Sequence, residues 1–215
     1  MYTGIITDIG RVREVVAGGV TRVVVDTRFD TGAIALGASV ALSGPCFTVV
    51  AKGPGWFAIE ASNETLSLTT AADWRPGTRL NLEQSLRVGD EMGGHYVTGH
   101  VDGIATVSMK RPDGDSWRFG FALPPKLARY IAPKGSVAID GVSLTVNEVI
   151  DQPDGGAELG VNIIPHTLAH TTFAERAVGD RVNVEIDMLA RYIARLSESE
   201  GRSPLPAIAA ERAPD

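Results

Sequence analysis

The chain has 215 residues, 44% of them hydrophobic and 21% charged, with a formal net charge of −6 and a single cysteine. No run approaches the ~18 apolar residues that a membrane span needs, Met1-Tyr2-Thr3-Gly4 lacks the basic start of a signal peptide, and one cysteine cannot form an internal disulfide. An acidic balance without a basic stripe argues against nucleic acid, so the expectation is a cytoplasmic protein whose partner is a small molecule.

Residues from Ile5-Ile6 to Val12 and from Val20 to Asp26 alternate apolar with polar side chains and are rich in β-branched residues, with a hairpin turn at Gly18-Gly19. Ser39 to Ala51 reads as a longer β run. It is interrupted at Gly44-Pro45, where the proline removes a ladder donor and predicts a bulge or sharp bend beside Cys46. Trp56 to Ala61 is a short strand, Thr65 to Thr70 a single helical turn, Ala72 to Thr78 a loop, and Leu80 to Gln84 a strand. Further strands are predicted near 99–107, 117–122, 136–149, 157–164 and 181–186, with a short helix from Lys126 to Ile131 opened by Pro124-Pro125. After Asp187, which is placed to cap a helix, Leu189, Tyr192, Ile193 and Leu196 recur at helical spacing. Residues 201–215, with three prolines and scattered charge, read as a disordered tail.

The second half restates the first. Thr98-Gly99-His100-Val101 answers Thr3-Gly4-Ile5-Ile6, an offset of 95, and Ser143-Leu144-Thr145-Val146 answers Cys46-Phe47-Thr48-Val49, an offset of 97. At an offset of 102, residues 166–172 answer 64–70, and Gly179-Asp180-Arg181-Val182-Asn183-Val184-Glu185 answers Gly77-Thr78-Arg79-Leu80-Asn81-Leu82-Glu83. Preserved order with slowly growing offset means a duplicated domain. Short strands split by Gly, Pro and Asp turns predict a small antiparallel barrel in each half. The expected division is 1–96 and 97–186 for the barrels, 187–200 for a helix that buries its stripe on something outside them, and 201–215 for the tail.

Several side chains could carry chemistry. His95 and His100 point to opposite faces of an extended segment and cannot chelate one ion. His166 and His170 could share a helical turn, but no further ligand joins them at metal-binding spacing, and no metal site is expected. A free cysteine is ordinarily a small buried hydrophobe. Cys46, however, stands where the other repeat has Ser143, each at the exit of a glycine bend, as expected of pocket-lining groups. His100 replaces Ile5 of the first repeat, an asymmetry that suits a proton-transfer group as well as an exposed loop residue. Thr48 and Thr145 read as ordinary strand formers, Lys134 as solvated, and Glu83 and Glu185 as exposed strand charge.

Five motifs, Met1-Tyr2-Thr3-Gly4-Ile5-Ile6, Gly44-Pro45-Cys46-Phe47-Thr48-Val49, Gly93-Gly94-His95…Gly99-His100-Val101, Asp140-Gly141-Val142-Ser143-Leu144-Thr145-Val146 and Ile164-Pro165-His166-Thr167-Leu168, resemble the α-chain type of riboflavin synthase. The resemblance spans residues 1–200 in both repeats. It implies an all-β fold of two tandem lumazine-binding Greek-key barrels plus a C-terminal helix that holds a homotrimer. It also implies dismutation of two 6,7-dimethyl-8-ribityllumazine molecules by transfer of a four-carbon unit, with no metal or redox cofactor, and brings lumazine synthase into view as an associating partner.

Carried over residue by residue, the resemblance implies a first pocket of Gly4, Ile5, Ile6, Cys46, Phe47, Thr48 and the segment Glu60-Ala61-Ser62-Asn63-Glu64-Thr65. It implies a second of Gly99, His100, Val101, Lys134, Ser143, Leu144, Thr145 and Ile163-Ile164-Pro165-His166-Thr167-Leu168. His100, Ser143, Cys46 and Asp187 are the implied proton-handling groups. Three positions depart from the family pattern, which has phenylalanine at Tyr2, asparagine at Ser43 and no proline at Pro45. The competing expectation is a non-catalytic lumazine or flavin carrier of the same fold.

Overall fold

In the first half six strands, β1 (Asp8–Val16), β2 (Thr21–Asp26), β3 (Ser39–Leu42), β4 (Cys46–Gly53), β5 (Trp56–Ala61) and β6 (Arg79–Gln84), close into an antiparallel barrel in the order β1-β2-β5-β4-β3-β6. In the second half β7 (Gly103–Asp113), β8 (Ser116–Leu123), β9 (Ser136–Ile139), β10 (Val142–Asp151), β11 (Ala157–Ile163) and β12 (Arg181–Ile186) close as β10-β11-β8-β7-β12-β9. Read from β7 in the other direction, this is the same Greek-key order. Even the irregularities repeat: the β1–β2 register shifts between Val12 and Glu14, and the β7–β8 register between Val107 and Met109. This computed structural model describes residues 1–200; the tail expected at 201–215 lies outside the described residues.

Each barrel closes around its own apolar core, because alternate residues of every strand point inward. Phe57, Ile59, Leu80 and Leu82 fill the first, and Phe119, Phe121, Leu159 and Phe173 the second. Phe173 meets both Phe119 and Phe121 edge-on, at 5.6 and 6.3 Å between ring centres. Burial of each such side chain contributes about 1.5–3 kcal/mol. The short helices α1 (Asn63–Leu68), α2 (Pro125–Ala128) and α3 (Pro165–His170) lie outside the strands, and α4 (Met188–Glu200) follows β12. No helix among the described residues is long and apolar enough to cross a membrane.

Four sequence expectations change. The strands expected from Ile5 and Gly99 begin only at Asp8 and Gly103, because residues 1–7 and 97–102 leave their own barrels to run between the two halves. Tyr2 and Val97 pair there as an isolated antiparallel bridge. The expected bend at Gly44-Pro45 is a complete reversal between β3 and β4, with Leu42 N–H donating to the Pro45 carbonyl at 3.0 Å. Proline has no donor, so β4 starts at Cys46, whereas β10 starts one equivalent residue earlier, at Val142. The helix expected to reach Ile131 ends at Ala128.

Candidate active site

Two buried carboxylates fix the loops that run between the barrels. Glu83, on β6, accepts hydrogen bonds from the Thr3 amide (2.7 Å), the Thr3 hydroxyl (2.9 Å) and the Gly4 amide (2.9 Å). Glu185, on β12, accepts from the amide and hydroxyl of Thr98 (2.6 and 2.7 Å) and from the amides of Gly99 (2.9 Å) and His100 (3.0 Å). The two residues are only 5% and 3% exposed, which overturns their reading as exposed strand charge. Alternation along Arg79–Gln84 announces a polar face, but not that the chain's own N-terminal segment covers it. Burial pushes the Glu83 carboxyl above its ordinary range, against the pull of these donors.

The loops so held reach the opposite barrel. The Gly4 carbonyl accepts from the Ser143 amide at 2.9 Å, and the Gly99 carbonyl from the Cys46 amide at 2.9 Å. Both glycines have left-handed backbones, and a Cβ would stand 2.6 Å from Ser143 Cβ at Gly4 and 2.5 Å from Cys46 Cβ at Gly99. These contacts cross between the two expected groups. Gly4, Ile5 and Ile6 join Ser143, with Ile6 packed against the second core, while Gly99, His100 and Val101 join Cys46.

Around Cys46 the strand alternation sorts the expected residues. Phe47 points into the first core, while the exposed Thr48 and half-buried Cys46 share the outer face. The Tyr2 hydroxyl donates to Cys46 Sγ at 3.0 Å. The departure from phenylalanine thus places a polar contact on the thiol, and the fully buried phenol is pushed far above its ordinary pKa by desolvation first and this bond second. Ser62 caps α1 by accepting from the Thr65 amide, and Glu60, Asn63 and Glu64 are exposed around it while Ala61 is buried. His100 is exposed beside Gly99. Ser43 takes its expected asparagine's place in a left-handed turn (φ 47°), its hydroxyl accepting from the Asn81 amide at 3.0 Å.

Around Ser143 the arrangement repeats with different chemistry. Leu144 is buried in the second core and Thr145 is exposed on the outer face with Ser143. His95, part of a family motif but discounted as a metal ligand and given no role, places Nδ1 2.7 Å from the Ser143 hydroxyl. Its Nε2 is buried with no hydrogen-bond partner among the described residues. Burial holds this imidazole below its ordinary pKa, although the Asp187 and Glu185 carboxylates pull the other way. His95 lies between the two matched repeats, so the repeat could not announce it.

Lys134, read as merely solvated, has φ 67° where the first repeat has Gly37 (φ 83°), and both amides donate to a strand carbonyl at 2.8 Å. A lysine at a glycine position is strained, as functional residues often are. Ile163 is buried, whereas Ile164, Pro165 and His166 are exposed at the start of α3, with Thr167 and Leu168 half-buried behind them. His166 and His170 do share a helical turn, their rings stacked at 4.1 Å. Asp187 caps α4, accepting from the Leu189 amide at 2.9 Å. A cleft of about 620 Å³ beside Thr3, Phe29, Ser85 and Arg87 includes only Ile5 among the carried-over residues. On the faces bearing the half-buried Cys46 and Ser143, Thr48 and Thr145 are exposed.

Barrels of this order carrying paired outer-face sites define a class: the profile of the lumazine binding domain matches residues 3–85 and again 98–187. The riboflavin synthase of Brucella abortus (strain 2308) is 51% identical over 92% of this chain and 98% of its own length. That of Photobacterium phosphoreum is 39% identical over 91% and 88%. The chain belongs to the riboflavin synthase family of lumazine-binding domain proteins. Crystal structures of LumP complexed with 6,7-dimethyl-8-(1'-D-ribityl) lumazine and with riboflavin share the fold, with TM-scores of 0.74 and 0.76, 22% identity, and coverage of 86% of this chain and 99% of theirs.

Proposed function

We propose that this chain transfers a four-carbon unit between two 6,7-dimethyl-8-ribityllumazine molecules, giving riboflavin and 5-amino-6-(D-ribitylamino)uracil. Atoms balance between two copies of one reactant, so no external oxidant or co-substrate is required. One observation carries the reading: the same outer-face site is built twice, with Cys46 beside the His100 loop in one copy and Ser143 bonded to His95 in the other. A dismutation needs two sites that treat identical molecules differently. A carrier needs only one.

In this reading the domains are 1–96 and 97–186. One lumazine binds along Cys46, Thr48, Glu60–Thr65 and the Gly99–Val101 loop. The other binds along Ser143, Thr145, Lys134, Ile163–Leu168 and the Gly4–Ile6 loop. His100, Cys46, Ser143 and Asp187 handle protons, and His95 positions the Ser143 hydroxyl. Reacting atoms must come within about 3–3.5 Å, so an open site on one chain meets the unlike site of a neighbour in a homotrimer fixed by α4 (residues 187–200). The exposed face of α4 is assigned to copies of this chain, not to a lumazine synthase shell. The test is to incubate the pure protein with the lumazine and follow riboflavin fluorescence. Saturable binding without riboflavin would mark a carrier and end this reading.

A further inference from the structure

We propose that the seam between the barrels carries a second binding site, separate from the lumazine surfaces, for the phosphate group of a small molecule. A groove of about 490 Å³ opens there between Arg11, Arg75, Thr78, Arg79, Thr172 and Arg176, with Glu175 as its one lining carboxylate. None of the carried-over site residues lines it. Four guanidinium groups around one carboxylate are unexpected in a chain of net charge −6. Arg79 is paired with Glu175, and Arg176 with the buried Asp140 behind the groove. Arg11 and Arg75 have no ion-pair partner among the described residues.

Two polar atoms at this place are buried with no hydrogen-bond partner among the described residues: Thr172 Oγ1 and Arg176 Nε. Thr172 is only 4% exposed. The duplication makes this telling, since its counterpart Thr70 has a partner, its hydroxyl accepting from Asn183 Nδ2 at 2.9 Å. The arginines themselves break the repeat. Thr106 answers Arg11, Ala177 answers Arg75 and Trp74 answers Arg176, so that only Arg79 has a basic counterpart, in Arg181. The barrel fold, built equally well without these side chains in its other copy, does not account for them.

The chemistry they fit is a tetrahedral dianion. Guanidinium forks match phosphate oxygens bidentately, and charge-assisted bonds of this kind are the strong ones. The Thr172 hydroxyl and the Arg176 Nε–H, without a hydrogen-bond partner among the described residues, lie beneath the groove as two further donors. Inorganic phosphate and a phosphomonoester both supply that group.

Isothermal titration of the full-length protein with inorganic phosphate and with glycerol 3-phosphate, at ionic strength held constant with chloride, tests the site. Expected is saturable binding of at least one of them, weakened about tenfold or more in Arg11→Gln/Arg75→Gln, with riboflavin formation unchanged. Both arginines are exposed, and the milder Arg75→Gln and Thr172→Val variants should each weaken binding in the same direction. Tighter binding of glycerol 3-phosphate identifies an esterified ligand, and tighter binding of inorganic phosphate a free one. No saturable heat from either, or equal affinity in the double variant, overturns the proposal.

Discussion

The side-chain amide of Asn183 donates to the Ser43 carbonyl at 2.7 Å, across the seam from one barrel to the other. Its oxygen accepts from the Thr70 amide at 2.8 Å. Asn81 returns the arrangement, donating to the Asp140 carbonyl at 3.0 Å and accepting from the Thr172 amide at 2.8 Å. The seam is thus held by reciprocal amide bonds between fully buried groups. Asn183→Ala should cost about 2–4 kcal/mol, because a carbonyl and an amide lose their partners where no solvent replaces them. Denaturant unfolding measures this. A loss under about 1 kcal/mol would mean that water enters the seam.

These asparagines and the two glutamates were visible in the sequence as the repeated Asn-Leu-Glu and Asn-Val-Glu, yet their role was not. Strand alternation gives two faces and their polarity. It cannot tell a polar face open to water from one laid against another barrel. The barrels themselves were legible, because the hydrophobic period and the ordered repeat act locally. The exchange of Gly4 and Gly99 between barrels was not, since each loop resembles its own half while serving the other. His95 escaped for a simpler reason: with no counterpart in the repeat, nothing compared it with a neighbour.

The His95 environment sets a pH dependence. Its folded pKa lies below the ordinary 6.5, chiefly through burial, opposed by Asp187 and Glu185. A depressed pKa contributes stability that is full above the unfolded value and is lost as pH falls through the folded one. The stability difference between wild type and His95→Gln should therefore shrink as pH drops below about 6.5. Urea titrations at several pH values check the slope. A difference that grew on acidification would mean that the ring is protonated in the folded protein.

The exchanged sites predict which pairs act together. Ser143→Ala and His95→Ala should each lower turnover more than they weaken lumazine binding, by roughly 10²–10⁴-fold if the pair handles a proton in the transition state. Combined, they should lose little beyond the worse single variant, because the two groups work as one unit. His100→Ala should couple in the same manner with Cys46→Ala and not with His95→Ala. Additive losses within a pair, and coupling between pairs, would restore the original grouping.

The last prediction joins α4 to the chemistry. Arg191 donates to Asp102 at 3.0 Å and Arg129 to Glu198 at 2.6 Å, which fixes the helix on the second barrel. Leu189, Tyr192 and Ile193 nevertheless stand 61%, 60% and 64% exposed. Burying such side chains against another copy would contribute about 1.5–3 kcal/mol for each one fully covered. Neither core includes a residue of the helix, and both barrels close without it. A chain ending at Asp187 should therefore fold, bind lumazine and remain monomeric, yet form riboflavin poorly, because the unlike sites no longer meet. Light scattering beside the fluorescence assay distinguishes the outcomes. Trimers without the helix would place the interface elsewhere, and a fully active monomer would show that one chain brings both lumazines together unaided.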